Sequence, residues 1–480
     1  MVSDQRLHLQ AYLLYMESIA TRPVRRSLIL WIILLTSFVN PFMGSAVNLA
    51  LPLIGRELGM NALSMGWVAM AFLLTSAVLM VPMGRLSDHV GRRKIYVIGN
   101  YIFALATLVC AFSPGSIFLI GGRLLQGLGG AMMFATSMAL ITEIYPPRER
   151  GRAIGTTVTA VYLGLSLAPA VGGFLVNSLG WRSIFWMTFF PVLAAALMMH
   201  FLIKGEWKSQ NPGAYDHQGA WVYVIAMSLF MYGFSHLPSL PSLVLSMAGL
   251  GGLFAFVRIE NKADFPVFDV HLLSRNRLFA LSNLAALINY AITFAVTFML
   301  SLYLYYVKGL NPRDAGLILM AQPAIMALVA YFSGRLSDYY DPRWLSSAGM
   351  FVITLCLIGL VFLSPETPVG RLALLLGIMG FGFGLFSSPN TNAIMGSVEK
   401  KYLGTASATV GTMRLTGQMM SMGIATLVIN VFLGKGNIHS GTLHLFLQAQ
   451  ETLFGVFVLL GVLGIWASLA RGSRYQGVSG

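Results

Sequence analysis

The chain has 480 residues, 56% of them hydrophobic and only 10% charged, with 31 Lys and Arg against 17 Asp and Glu for a net charge of +14. A soluble domain carries roughly 25% charged residues, so this composition excludes a soluble globular protein and implies an integral membrane protein. The basic residues are scattered between apolar runs rather than gathered in a patch, which argues against a nucleic-acid partner. Cys110 and Cys356 both fall inside apolar runs and read as packed thiols, not as a disulfide or a metal site.

Residues 1–26 are polar and mildly amphipathic, and Arg25-Arg26 leads straight into a full-length apolar run, so no secretory signal is read here. This segment is expected to be cytoplasmic, as an interfacial helix or as the product of a start codon assigned too early. Windows of about 20 apolar residues, long enough to cross a bilayer, then predict an all-α integral membrane fold of fourteen transmembrane helices. The spans are 27–51, 66–85, 94–113, 116–141, 152–177, 182–203, 219–236, 240–258, 278–306, 314–334, 344–364, 369–392, 404–433 and 449–470, followed by a cytoplasmic tail at 471–480. Most Lys and Arg lie on one set of alternate loops; Arg56, Arg182, Lys308, Arg313, Arg371 and Lys435 lie on the other. Basic loops face the cytoplasm, which places both termini there and suits a multi-pass protein of the plasma or inner membrane.

Between the second and third spans sits a dense polar knot, Gly84 to Lys94, reading Gly-Arg-Leu-Ser-Asp-His-Val-Gly-Arg-Arg-Lys. Glycines at its ends allow tight turns, and Asp88 is placed to accept backbone N–H groups at a helix start. Its first five letters recur 250 residues later as Gly334 to Asp338. Asn61 and Gly66 recur at the same offset as Asn311 and Gly316, and Gly155-Thr156 recurs as Gly404-Thr405. Such self-similarity signals a duplication. Residues 27–203 and 278–470 therefore form two six-helix bundles of like orientation, the arrangement of a rocking transporter. Residues 204–277, with helices 7 and 8 and a cytoplasmic linker, read as an insertion expected at the periphery.

Several polar residues lie at membrane depth, where they mark function by default. Arg123 is about a third of the way in from the outer side, and Arg414 is about ten residues into helix 13, near 15 Å at 1.5 Å per residue, with Gln418 one turn on. Asn40, Asn48, Asn289, Gln322 and Asn390 are also embedded; Asn48 and Asn289 are the preferred cavity candidates. In helix 5, Pro169 removes a backbone bond while Gly164, Gly172 and Gly173 remove bulk, which permits a bend and close helix contact. Glu143, at the inner end of helix 4, shares a membrane face with Asp88 and Arg92 and can complete a cluster with them. None of the acids falls in mid-membrane.

These motifs together resemble the major facilitator superfamily, and within it the fourteen-helix drug:proton antiporters. Gly84 to Arg93, with Arg85, Asp88, Gly91 and Arg92, is similar to that family's loop motif, and Gly334 with Asp338 is its weaker duplicate. Arg123, Gln126 and Gly127 resemble the fourth-helix motif. Gly164 through Pro169 to Gly172-Gly173 resembles the antiporter motif of helix 5, with Ala168 where the family usually has Gly, and Gly180-Trp181-Arg182 also fits. The resemblance implies a secondary active exporter of small amphipathic molecules working by alternating access, as a monomer in the lipid bilayer, with protons as the candidate coupling partner. Met43 stands where relatives carry a helix-1 Asp, so the usual buried acid for proton coupling is missing. Embedded arginines without an embedded acid favour anionic, zwitterionic or neutral ligands. Alternatives are a lipid or lipid-linked-intermediate translocator, an exchanger of anionic metabolites, and a non-transporting sensor. No nucleotide-binding loop, metal-ligand spacing or nucleophile–base pair is read in the sequence, so neither a cofactor nor an enzymatic activity is expected.

Overall fold

The computed structural model describes residues 23–208, 214–263, 266, 276–337, 339–398, 403–434, 436 and 438–472. Fourteen long helices run through them: α1 Pro23–Glu57, α2 Ala62–Val90, α3 Arg92–Ala111, α4 Ser116–Ile144, α5 Pro147–Leu179, α6 Arg182–Leu197, α7 His217–Ser235, α8 Leu240–Glu260, α9 Arg277–Leu302, α10 Pro312–Leu336, α11 Pro342–Val361, α12 Val369–Gly396, α13 Leu403–Leu433 and α14 Leu443–Ala470. Thirteen of them are long and apolar enough to cross a membrane; α7, which opens on His217 and Gln218, is the one that falls short.

Local chemistry explains the helix ends. Asn61, Asp216, Asn276, Asn311 and Asp341 each accept a backbone N–H of the first turn through the side chain, which satisfies one of the donors a helix start leaves open. Pro312 and Pro342 sit in the first turns of α10 and α11, where a missing N–H costs nothing. Within α10 the helix breaks at Met320, because Pro323 has no N–H to continue the ladder.

The duplication read in the sequence reappears as a repeated pattern of neighbours. α1 packs on α5 and α6, α2 on α4, and α3 on α4 and α6; likewise α9 packs on α13 and α14, α10 on α12, and α11 on α12 and α14. The halves meet along two seams, α2 with α13 and α5 with α10. The inserted hairpin α7–α8 lies outside, against one of them. Tyr223 donates to the Ala77 carbonyl of α2 at 3.5 Å, and Tyr215, just before α7, donates to Pro82 at 3.4 Å. On the other half, Asn430 of α13 donates to the Leu237 carbonyl at 2.8 Å, and Gly423 leaves room for Met231 and Phe234. α7 therefore straddles the α2–α13 seam.

Candidate functional site

The polar knot folds around Arg92. Its guanidinium donates to Asp88 Oδ1 through Nε at 3.2 Å and Nη2 at 3.0 Å, and to Glu143 Oε2 through Nη1 at 2.8 Å, joining α2, α3 and α4. The expected cluster of Asp88, Arg92 and Glu143 is thus assembled, but its members all belong to one half. Asp88 does not cap α3, contrary to expectation: it is spent on Arg92. The α3 start is capped instead by Glu206, from the segment after α6, whose carboxylate accepts Arg93 N at 2.8 Å and Lys94 N at 3.1 Å. Arg92 N also donates to the Trp207 carbonyl at 2.8 Å. Gly91 is required twice over, by a φ of +126° and because a Cβ there would meet the Glu206 side chain. Arg85 donates through Nε to the Pro266 carbonyl at 3.0 Å. Both flanks of the inserted hairpin are therefore bonded to the knot. Gly84 and Gly334 are not forced by contact, since a Cβ at either would meet only ordinary neighbours at 3.6 Å or more.

In the second half the corresponding end is built differently. Asp338 lies outside the described residues, and the position equivalent to Arg92 is Pro342. Arg471, the first residue past α14, fills this place. It is 2% exposed, and it donates to Asn390 Oδ1 and to the Pro342 carbonyl at 2.6 Å each and to Ser282 Oγ at 3.3 Å. Burial lowers its pKa to about 10, with Asp341 opposing, so it stays cationic at neutral pH. Sequence reading missed both Glu206 and Arg471, because each looks like an ordinary loop charge at the end of an apolar run.

The α5 motif divides between two neighbours. Gly164 faces α1, where a Cβ would overlap the Phe38 carbonyl oxygen, and Gly172 faces Ala46 of α1, at 2.9 Å for the same Cβ. Gly173 faces α10 instead: a Cβ there would lie 2.5 Å from the Pro312 carbonyl oxygen. The Pro169 carbonyl oxygen abuts Gly316, where any Cβ would overlap it. Its duplicate Gly66 abuts Thr426 of α13 just as closely. The repeated Asn-Gly pairs thus cap a helix and then seat it on the opposite half. Ser301 of α9 completes this end by donating to the Asn48 carbonyl at 2.9 Å. The halves are consequently pressed together at the end of the bundle where α1 ends and α2 begins.

Between the halves lies a cavity of about 80 Å³. Of the residues picked out at membrane depth, Asn40, Asn48, Arg123, Arg414 and Gln418 line it. Asn289 does not; it is fully buried in the packing of α9, with no hydrogen-bond partner for its amide. Gln126 sits behind the wall as a bracket: its Oε1 accepts Arg123 Nη1 at 2.7 Å, and its Nε2 donates to Thr107 at 2.8 Å. Arg123 also donates through Nε to the Val68 carbonyl at 3.0 Å and lies over the Phe72 ring at 4.6 Å. Arg414 contrasts with it. Its guanidinium rests over the Phe134 ring at 5.3 Å, its Nε is buried without a partner, and Gln418 does not bond it as the i,i+4 spacing suggested. Tyr162 of α5, on the cavity wall, shares a hydrogen bond of 3.0 Å with Ser387 of α12 and so ties half to half. Among the described residues no Asp or Glu lines this space. A wider open groove of about 450 Å³ lies between α5 and α6, lined by Leu175, Trp186 and Phe190 among others, but it is apolar and away from the interface of the halves.

Asp88→Asn is expected to weaken the Arg92 cluster by about 1 kcal/mol, after allowance for its partial exposure. The apparent melting temperature in micelles should fall by about 1–2 °C, with slower transport, and Glu143→Gln should do less, because Glu143 is nearly half exposed. An Asp88→Asn protein as stable and as fast as wild type would show that the cluster has no mechanical role.

Two six-helix halves of repeated packing, closed at one end around a cavity that holds two arginines, define a polytopic membrane transporter. The model of the Major Facilitator Superfamily matches residues 33–422, and the chain belongs to that family. It is 30% identical to a riboflavin transporter of Clostridioides difficile, over 80% of this chain and 85% of that one. It is 28% identical to a multidrug resistance protein of Mycobacterium tuberculosis, over 81% and 73%, and 29% identical to a methylenomycin A resistance protein of Bacillus subtilis, over 89% and 91%. The fold matches a bacterial homologue of the human lysosomal transporter Spinster, solved in an inward-facing conformation, with a TM-score of 0.67 at 17% identity over 94% of this chain and 98% of that one. It also matches a peptide transporter, with a TM-score of 0.68 at 14% identity over 92% and 94%. The protein is a transporter of small molecules.

Proposed function

We propose that this transporter is a secondary active exporter of small amphipathic molecules, working by alternating access from the cytoplasm. The observation that carries this reading is the closed end itself. α5 meets α10 backbone to backbone at Gly173 and Gly316, and α2 meets α13 at Gly66. Such contacts are made or broken as units, because packed interfaces are bistable rather than elastic. With the basic loops in the cytoplasm, the closed end is the outer one. At about 80 Å³ the cavity is smaller than the ~300–1,000 Å³ of ligand sites, so it must widen to load. Drug and antibiotic resistance among the relatives supports the outward direction. A lipid translocator would need a lateral opening between the halves, and the contacts at both seams give that reading less support.

Coupling is proposed to run through protons, or through the substrate's own charge, without a mid-membrane carboxylate. The test is flux of a fluorescent amphipathic dye in proteoliposomes, with and without a pH gradient. Dye movement that depends on the protein supports export; acceleration by the gradient supports proton coupling. Wild-type protein that moves no amphipathic dye or metabolite under either condition would overturn the exporter reading.

A further inference from the structure

Two arginines line the cavity, but only one has its charge unspent. Arg123 is 1% exposed and holds the Val68 carbonyl, Gln126 and the Phe72 ring at once. Among the described residues Arg414 makes no hydrogen bond: the Phe134 ring lies against its guanidinium, Tyr162 and Tyr290 are near enough to feel its charge, and its Nε is buried with nothing to donate to. Asn40, on the same wall, has an amide nitrogen in the same state. A buried donor without an acceptor costs free energy unless water or a ligand supplies one. The surrounding wall is aromatic: Phe134, Tyr162, Tyr290 and Phe383, the last two in edge-to-face contact at 5.5 Å. Flat rings with one cationic fork and no carboxylate select a flat ligand with an acceptor-rich, anionic edge.

We infer that the cavity, read as the export site above, is an aromatic-anion subsite. Arg414 is its charge-reading residue, and Phe134 and Tyr290 are its stacking walls. The ligand's carboxylate, or an equivalent oxyanion edge, takes the Arg414 guanidinium as a forked pair. Its ring takes the place over Phe134 that the guanidinium now occupies. Loading requires the Tyr162–Ser387 bond to part, because it ties the wall residue Tyr162 to the other half and the cavity has to widen. A cationic amphipath of the same shape is rejected, since nothing on the wall neutralises it and Arg414 repels it.

The test is equilibrium binding to the full chain purified in detergent micelles, followed by calorimetry or by quenching of ligand fluorescence. Three probes of one shape are compared: 2-naphthoate, 2-naphthamide and 2-naphthylmethylammonium. Naphthoate should bind at least about tenfold more tightly than the ammonium probe. Arg414→Gln should erase that preference while leaving naphthamide within about threefold of wild type and the melting temperature nearly unchanged. Arg414→Lys should restore part of it, and Phe134→Leu should weaken all three probes. Equal loss for all three in Arg414→Gln, an unchanged preference, tighter binding of the ammonium, or no binding of any probe at millimolar concentration would each overturn the inference. Binding in micelles needs no gradient. Selective naphthoate binding with no flux in proteoliposomes would leave the subsite standing and remove the exporter reading; dye flux with no anion preference would do the reverse.

Discussion

Gly316→Val is expected to hold the transporter open at the end where α1 ends and α2 begins, proposed above as the outer one, and to reduce transport several-fold or more. A Cβ at residue 316 would overlap the Pro169 carbonyl oxygen of α5, and the Leu49 side chain lies 3.2 Å from the same position. A backbone carbonyl inside a helix cannot swing aside as a side chain can, so the two helices have to separate. Overpacking of this kind typically costs about 1–3 kcal/mol, which acts only on conformations in which α5 and α10 touch. A bias of that size changes the ratio of closed to open forms by about 5- to 150-fold. Labelling of a cysteine placed at Asn48 by a membrane-impermeant reagent from outside should accelerate accordingly. Gly66→Val should act in the same direction but more weakly, because its obstacle is the Thr426 side chain rather than backbone. Unchanged labelling and flux in Gly316→Val would mean that this seam stays shut throughout the cycle.

Arg123→Met is expected to damage the fold more than the binding preference. The substitution keeps much of the volume but removes the charge that ties Val68 of α2 to Gln126 of α4. Gln126 Oε1 then keeps only the weak Cys110 thiol donor at 3.9 Å, and Phe72 loses its stacked cation. Relief from burying a charge offsets part of this, leaving a net loss of about 2 kcal/mol or more. The apparent melting temperature in micelles should fall by several degrees, and flux should fall with the folded fraction. Arg414→Gln, by contrast, should scarcely move the melting temperature. If the two variants instead had equal stability and Arg123→Met alone lost anion preference, the roles assigned to the two arginines would be exchanged.

The features that turned out readable from the chain alone are those set by period and position. Apolar runs place the fourteen helices, and the offset of 250 places Asn61 opposite Asn311 and Gly66 opposite Gly316, where the structure finds two caps and two seam contacts. Less readable is which neighbour a side chain chooses. Asp88, Glu206 and Glu143 are all acids at one end of the membrane, yet only the path of the chain after α6 makes Glu206 the cap of α3 and leaves Asp88 to Arg92. Depth in the membrane does not report rotation about a helix axis at the resolution needed, so Asn48 reaches the cavity while Asn289 does not. The same limit hides the difference between Arg123 and Arg414. Both sit at costly depth, but only the surrounding atoms show that one is fully engaged and the other is not.

The placement of α7 has a consequence for the membrane around the protein. Tyr223 and Tyr215 fasten it to α2, and Leu237 is fastened to α13, so this helix lies across one of the two seams. Lipid therefore meets an α7–α8 surface on that flank and the bare α5–α10 line on the other. A solute dissolved in the bilayer meets one flank covered by an extra hairpin and one closed only by the contact of two helices. Because Gly173 and Gly316 close the α5–α10 line by backbone contact, that flank opens sideways only when the two helices part, whereas the opposite flank stays covered by α7 even then.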